Sequence, residues 1–584
     1  MDFTPVIEGF EVLLQPENLM FCLIGVVAGM AIGVLPGLGP AATIAILLPL
    51  TYSMDPIPSI IMLAGIFYGG IYGGTVTAVL LKLPGETASA ITALEGYPLA
   101  QKGQGGKALG VGAVASFIGG TVSIVVLTMV APVIAGFALE FGPPEYTALT
   151  LLGILLVATI GNGSKLKALA GAALGLLLAT VGRDAFTGEL RYTAGSLELT
   201  DGLQFVPIAM GVFGLAEILY NLERRRNGGS IPVATDRVLP TKATMKESAA
   251  PIGRGGVLGF LLGLLPGGGA TVSAMASYGI EKRLNKGSTP FGKGAIRGVA
   301  GPETANNAAA TSSFIPLLTL GIPANATMAV MFSALLIQGI TPGPQLVATD
   351  PDLFWSVINS MYLGNIVLLV LAIPLIGVFV RILYVRSSIL SPIIVLIVCI
   401  GAYTISNRIF EVMVVIVFGV LGYLMKKYGF DPAPLVLAFV LGSLLEDNFR
   451  RSLLMFDGDV TRVTGHPIAV TLLGLLLVVV LIPILLKLVK SRRPDLIGED
   501  ENGTGAGAET ETGAKVPASV TAGSEAGAAS GAESDSASDA GSDTASGVAT
   551  GPNGDRRDHP PRSPDGSSAE RPEEGAAGSH PSQT

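Results

Sequence analysis

Charge is scarce in this chain of 584 residues: 14% are Asp, Glu, Lys or Arg, against about 25% in an ordinary soluble domain. Half of the residues are apolar and the mean hydropathy is +0.61, which excludes a soluble globular protein and implies a polytopic protein set in a lipid bilayer. Cysteine is nearly absent. Cys22 and Cys399 both lie in apolar runs, which argues against a disulfide framework and a Cys-based metal site. The three histidines are His466 beside a proline and His559 and His580 near the C-terminus, which argues against proton coupling through histidine. Enzyme signatures are missing. Gly103-Gln104-Gly105-Gly106-Lys107-Ala108 lacks the glycine spacing and the Ser or Thr of a phosphate loop, and there is no G-x-S-x-G or H-E-x-x-H. These gaps set ATP hydrolysis aside and predict no enzyme and no cofactor. The net charge of −8 gives no support to nucleic acid binding, because much of the acidity belongs to the C-terminal tail.

Long runs without any charge are what the chain has instead. Residues 18–54, 56–81, 108–139, 255–280, 304–349, 353–380 and 387–407 contain no acidic or basic side chain, and each reaches the roughly 20 residues needed to span hydrocarbon. With the shorter apolar runs near 146–160, 168–182, 206–220, 409–425, 433–445 and 467–486, they predict an all-α polytopic fold of about 12 membrane elements. The N-terminus before the first span has Asp2, Glu8, Glu11 and Glu17 but no Lys or Arg, so that span is expected to be retained rather than cleaved as a signal peptide.

The basic cluster Arg224-Arg225-Arg226 opens a polar linker that the positive-inside rule places in the cytoplasm, as it does Lys487, Lys490, Arg492 and Arg493. The expected organisation is a first membrane repeat over 1–226, a cytoplasmic linker over 227–250, a second repeat over 251–490 and an acidic tail over 491–584. Gly, Ala, Ser, Thr, Asp and Glu dominate the tail, a composition that predicts disorder.

Two stretches are nearly the same: Leu35-Pro36-Gly37-Leu38-Gly39 and Leu265-Pro266-Gly267-Gly268-Gly269, each inside a charge-free run. A second pair follows, Leu83-Pro84-Gly85-Glu86-Thr87 and Ile322-Pro323-Ala324-Asn325. Broken or re-entrant helices are tolerated in a bilayer only where protein or an aqueous cavity covers them, so breaks at matched places in two halves point to a binding site between repeats. A half-helix starting at a break aims free N–H groups and a partial positive charge into the cavity, which suits a carboxylate. A half-helix ending there exposes carbonyls which, with hydroxyl and amide oxygens, suit Na⁺. The candidate substrate- or ion-binding residues are therefore Pro36, Gly37, Gly39, Thr43, Pro84, Gly85, Glu86, Thr87, Pro266, Gly267, Gly269, Thr271, Ser273, Glu303, Thr304, Asn306, Asn307, Thr311, Pro323 and Asn325. Ionisable groups beside the breaks, Lys82, Glu86 and Glu303, are either functional or interfacial at a segment end. Glu217, Arg408 and Glu411 read as interfacial or structural, and Glu446 and Asp447 as a loop entrance balanced by Arg450 and Arg451. Small residues spaced as in Gly25-x-x-x-Gly29 and Gly171-x-x-x-Gly175 read as helix contacts.

Four blocks carry a family resemblance: 33–49; 68–98, with L-P-G-E-T-A-S-A and E-G-Y-P-L-A; 263–283; and 301–344, with G-P-E-T-A-N-N-A-A-A and G-I-P-A-N-A-T. They resemble the large membrane subunit of the tripartite tricarboxylate transporters, the TctA family. The resemblance is compatible with nearly all of residues 1–490 and leaves out the tail. It implies carboxylate uptake across the plasma (inner) membrane with an extracytoplasmic solute-binding protein and a small membrane subunit as partners, driven by an ion gradient, Na⁺ or else H⁺. The other reading from residues alone is a channel or structural membrane subunit, whose broken helices line a pore without accumulating substrate.

Overall fold

Helices are the one open-ended element whose backbone satisfies its own N–H and C=O groups in hydrocarbon, and the charge-free runs adopt that form. The computed structural model describes residues 4–35, 38–160, 164–223, 238–267, 269–285, 289–375, 377–378, 381 and 387–492. Its first half contains α1 (Thr4–Leu13), α2 (Pro16–Gly33), α3 (Pro40–Leu47), α4 (Pro56–Leu81), α5 (Ser89–Gln101), α6 (Gly105–Ala138), α7 (Pro143–Ile160), α8 (Lys165–Ala179) and α9 (Phe205–Glu223). The second half contains α10 (Lys242–Gly263), α11 (Gly269–Arg283), α12 (Arg297–Ser312), α13 (Ala326–Ile337), α14 (Pro351–Ala372), α15 (Ser387–Ser406), α16 (Ile409–Lys427), α17 (Ala433–Met455) and α18 (Pro467–Arg492). The strands among the described residues are Gly182–Arg183 and Leu190–Arg191, an antiparallel pair in a loop. The expected all-α polytopic class is observed: α2, α4, α6, α9, α14 and α16 are long and apolar enough to cross a membrane, and five shorter apolar helices accompany them. Residues 227–237 of the expected linker, the cluster Arg224-Arg225-Arg226 and the tail from residue 493 lie outside the described residues, and from Lys242 the chain is already helical.

The two halves repeat each other's packing and exchange it. In the first half α2 lies along α4, and in the second α10 lies along α12. Each crossing is lined by glycines four residues apart, Gly25, Gly29 and Gly33 on α2 and Gly255, Gly259 and Gly263 on α10. The approach leaves no space for a side chain: a β-carbon on Gly33 would lie 2.8 Å from Gly70 Cα, and one on Gly263 would lie 2.6 Å from Ala309 Cα. Gly25 and Gly29 are thus helix contacts, as are Gly171 and Gly175 against α17. Across the halves, α6 packs on α12 while α14 packs on α4, α8 packs on α17 while α16 packs on α9, and α3 packs on α13 while α11 packs on α5.

A charged cluster ties the loop between α8 and α9 to the second half. Asp184 accepts the N–H groups of Phe186 (2.8 Å) and Thr187 (3.0 Å) and pairs with Arg450 (2.9 Å) and Arg191 (3.3 Å), and Glu446 pairs with both arginines at 2.7 Å. The amides of Thr187 and Phe186, followed by the Arg450 guanidinium, hold the Asp184 carboxyl down at about 2.

Gly259→Leu, which drives a side chain into the backbone of Ala305, should lower the unfolding midpoint in detergent by an overpacking cost of about 3 kcal/mol or more. Gly253→Leu on the same helix, with open space around its Cα, should leave the midpoint nearly unchanged. In the loop cluster, the folded Asp184 titrates below the about 3.9 of an unfolded aspartate, so its contribution is complete above that pH and is lost as pH falls through about 2. Asp184→Asn should therefore speed proteolytic cleavage within 180–204 at pH 7, whereas the unaltered loop should keep its protection down to pH 4; wild-type cleavage that is already fast at pH 4 would contradict this.

Candidate functional site

All four sequence breaks interrupt helices, and the matched pairs do so in matched ways. Pro36 and Gly37 lie outside the described residues, but α2 ends at Gly33 and α3 restarts at Pro40, a proline at the one helical position where its missing N–H is no loss. In the second half α10 ends at Gly263 and α11 restarts at Gly269. After each restart a buried hydroxyl four residues on donates to the carbonyl of the break glycine: Thr43 to Gly39 O at 3.1 Å, and Ser273 to Gly269 O at 2.8 Å. Gly267 adopts φ +78°, where an L side chain is strained, and a β-carbon there would lie 2.9 Å from Val157 Cα; its N–H donates to Ala324 O (2.9 Å), tying the two breaks of the second half together. The later pair ends in left-handed residues, Lys82 (φ +57°) and Gly321 (φ +70°), each two positions before its proline, Pro84 and Pro323.

A cavity of about 770 Å³ opens between the halves where these breaks meet. Four helices begin on its wall: α3 through Pro40, Ala41 and Ala42; α5 through Ala90 and Ile91; α11 through Ala270, Thr271 and Val272; and α13 through Ala326 and Thr327. The N–H groups of each first turn have no carbonyl partner in their own helix, apart from Pro40, which has no N–H, and Met328, whose N–H is capped by Asn325, and the dipoles bring partial positive charge to one space. Of the sequence candidates, Gly39, Pro84, Gly85, Glu86, Thr87, Gly267, Gly269, Thr271 and Asn325 line the cavity. Thr87 and Thr271 bridge the halves through their hydroxyls at 2.6 Å, and Asn306 Nδ2 reaches across to donate to Glu86 Oε1 at 2.7 Å. Asn325 caps α13, its side chain accepting from Met328 N at 3.0 Å.

The remaining candidates among the described residues lie off the cavity wall. Thr43 and Ser273 support the breaks, Thr304 donates to Ala300 O (2.8 Å), Pro266 is half-buried in its turn, and Thr311 and Pro323 are buried. Asn307 donates to Ser116 Oγ (2.7 Å) and to Glu303 O (3.1 Å). Glu303 is fully buried and accepts from the hydroxyls of Thr92, Thr75 and Ser116. Among the described residues no three His, Cys, Asp or Glu side chains gather as metal ligands, so the oxygens open to a cation are single carboxylates with hydroxyls beside them.

Sequence reading missed Lys426 and Asp431 on the wall, and it took Glu217, which also lines it, as interfacial or structural. Lys426 at the end of α16 pairs with Glu217 of α9, which neutralises the one lysine there, and Asp431 accepts the first free N–H of α17 at Ala433 (2.9 Å). The run Gly429-Phe430-Asp431-Pro432, a helix stop followed by a cap, was the signal for Asp431; the Glu217–Lys426 pair, 209 residues apart, has no local signal.

Residues 19–437 match the sequence family described as the Tripartite tricarboxylate transporter TctA family. The chain is 48% identical over 496 residues, 84% of its own length and 98% of the relative's, to an uncharacterized 52.8 kDa protein in the TAR-I ttuC' 3' region of Agrobacterium vitis. It is 51% identical over 243 residues, 42% of its length, to the whole of an uncharacterized protein in the TAR-II ttuC' 3' region of the same organism. No solved structure matches the chain. With apolar spans, paired breaks and a cavity between repeats, and with most of its length matched, this multi-pass membrane protein belongs to the TctA family of tripartite tricarboxylate transporters.

Proposed function

We propose that the chain is the large permease subunit of a binding-protein-dependent secondary transporter, importing a carboxylate across the plasma (inner) membrane on an ion gradient, Na⁺ ahead of H⁺. An extracytoplasmic solute-binding protein would deliver the substrate, and a small membrane subunit would complete the complex. The observation that carries the reading is the convergence of four helix N-termini from both repeats on one cavity. Unpaired N–H groups and the Thr87 and Thr271 hydroxyls are the donors a carboxylate requires, and they sit where the two repeats meet, the position at which rocking of one repeat against the other exposes a site alternately to each side. The cavity, at about 770 Å³, is large enough for a small di- or tricarboxylate with water.

The test is uptake of labelled mono-, di- and tricarboxylates into proteoliposomes holding this chain with its small subunit and binding protein, with and without an inward Na⁺ gradient. Accumulation above equilibrium that requires both the gradient and the binding protein is expected, and equilibration without either would place the protein with channels. Thr271→Val, which removes one hydroxyl from the cavity wall, should raise the apparent KM about fivefold, the loss of about 1 kcal/mol for one hydrogen bond. Gly267→Val should abolish accumulation more than it lowers the amount of folded protein in the membrane; equal loss of both would make that glycine a packing residue alone.

A further inference from the structure

Glu303 carries chemistry that a carboxylate cavity does not need. It sits on α12 of the second half with no exposed surface and belongs to no ion pair among the described residues, yet three hydroxyls from three first-half helices converge on it. Thr92 Oγ1 of α5 lies 2.5 Å from Oε1, and Thr75 Oγ1 of α4 and Ser116 Oγ of α6 lie 3.0 and 3.3 Å from Oε2. All three hydroxyls are buried. Three hydroxyl donors are what an ionised carboxylate needs in place of water. A buried carboxylate with no countercharge is costly, and in hydrocarbon the cost is greater. A hydroxyl that donates a hydrogen bond to the carboxylate keeps two lone pairs, of which Ser116 has one left because it accepts from Asn307, so five oxygens bearing one negative charge cluster in one buried region: a hard donor set whose charge matches a single monovalent cation. One helical turn before Thr75, the buried Tyr72 hydroxyl, within the field of Glu303, has no hydrogen-bond partner among the described residues. An orphan oxygen of this kind marks a missing polar partner.

We propose that Glu303, Thr75, Thr92 and Ser116 bind the coupling cation as dehydrated Na⁺, in a site apart from the carboxylate cavity, an assignment that rests on the transport reading above. None of the four residues lines the cavity. The two sites share helices: Thr92 lies in the first turns of α5, just past the break at Glu86 and Thr87, and Asn306, one turn beyond Glu303 on α12, holds Glu86 Oε1 at 2.7 Å. A cation that draws Thr92 and Glu303 together therefore seats α5 on α12 and sets Glu86 and Thr87 at the cavity wall. By linkage, substrate bound in the cavity must raise Na⁺ affinity by the factor that Na⁺ raises substrate affinity.

The experiment is equilibrium binding of radiolabelled Na⁺ to the purified full-length complex, with and without transported carboxylate, beside gradient-driven uptake in proteoliposomes. Wild-type protein should bind Na⁺ more tightly with substrate present. Glu303→Gln should abolish Na⁺ binding, and Thr75→Val should weaken it about tenfold while Thr75→Ser stays close to wild type. The valine and serine variants keep the side-chain volume or the hydroxyl, so they read the site even if Glu303→Gln fails to fold. Unchanged Na⁺ affinity in Thr75→Val and Glu303→Gln would overturn the site, and so would uptake driven by a proton gradient with no Na⁺ bound. Wild-type protein that moves no carboxylate under any gradient would instead count against the transport reading.

Discussion

Hydrocarbon offers a backbone no hydrogen bonds, and this constraint governs the rest of the structure. Four interruptions in apolar helices leave N–H and C=O groups that a lipid-facing position would not tolerate. They are covered only because the halves close on one another. The glycine-lined crossings of α2 on α4 and of α10 on α12 bring the helices to backbone contact and with them the breaks they carry. Local bonds satisfy part of these groups, as when Gly267 N–H donates to Ala324 O or the hydroxyls of Thr43 and Ser273 donate to the break carbonyls. What they leave over is the first turns of four helices that begin on the cavity wall.

Because the packing is exchanged, neither repeat can form this site alone. α3 of the first half packs on α13 of the second and α11 packs on α5, so each restarted helix is positioned by the opposite repeat. Thr87 with Thr271 and Asn306 with Glu86 are the polar counterparts of that exchange. A relative motion of the halves would therefore change both the shape of the cavity and the bonds across it, and under the proposed transport a ligand bound there would bias the position of the repeats.

Much of this was legible in the sequence, and the physical reason is that a bilayer punishes charge and broken helices. Charge-free runs mark the spans, and Pro-Gly pairs in their middle mark the breaks, so Gly39, Glu86, Thr87, Gly267, Gly269, Thr271 and Asn325 were recognisable before any fold was known. Supporting residues were not separable from lining ones, because Thr43 and Ser273 have the same chemistry and neighbourhood as Thr271 and differ only in the direction in which they point. The surroundings of Glu303 were wholly illegible. Its three hydroxyl partners stand 228, 211 and 187 residues away, and a threonine or serine in an apolar helix bonds its own backbone so commonly that no local pattern singles these out.

The electrostatics of the cavity suit a site that must release what it binds. A carboxylate could be held by a lysine or arginine, but a full charge in a low-dielectric space holds an anion strongly and has a high desolvation cost when the anion leaves. The single lysine on the wall, Lys426, is already paired with Glu217. Beside that pair the wall carries two carboxyls, Glu86, which accepts from Asn306, and Asp431, which caps α17, so the positive potential there comes from several helix N-termini, each worth about half an elementary charge and effective only over the first turn. Their sum is favourable when all four helices point at the same space and falls away once one repeat shifts. On the transport reading proposed above, a site built from partial charges on two halves would tie affinity to their relative position, whereas a site built from one fixed cation would bind in every conformation alike.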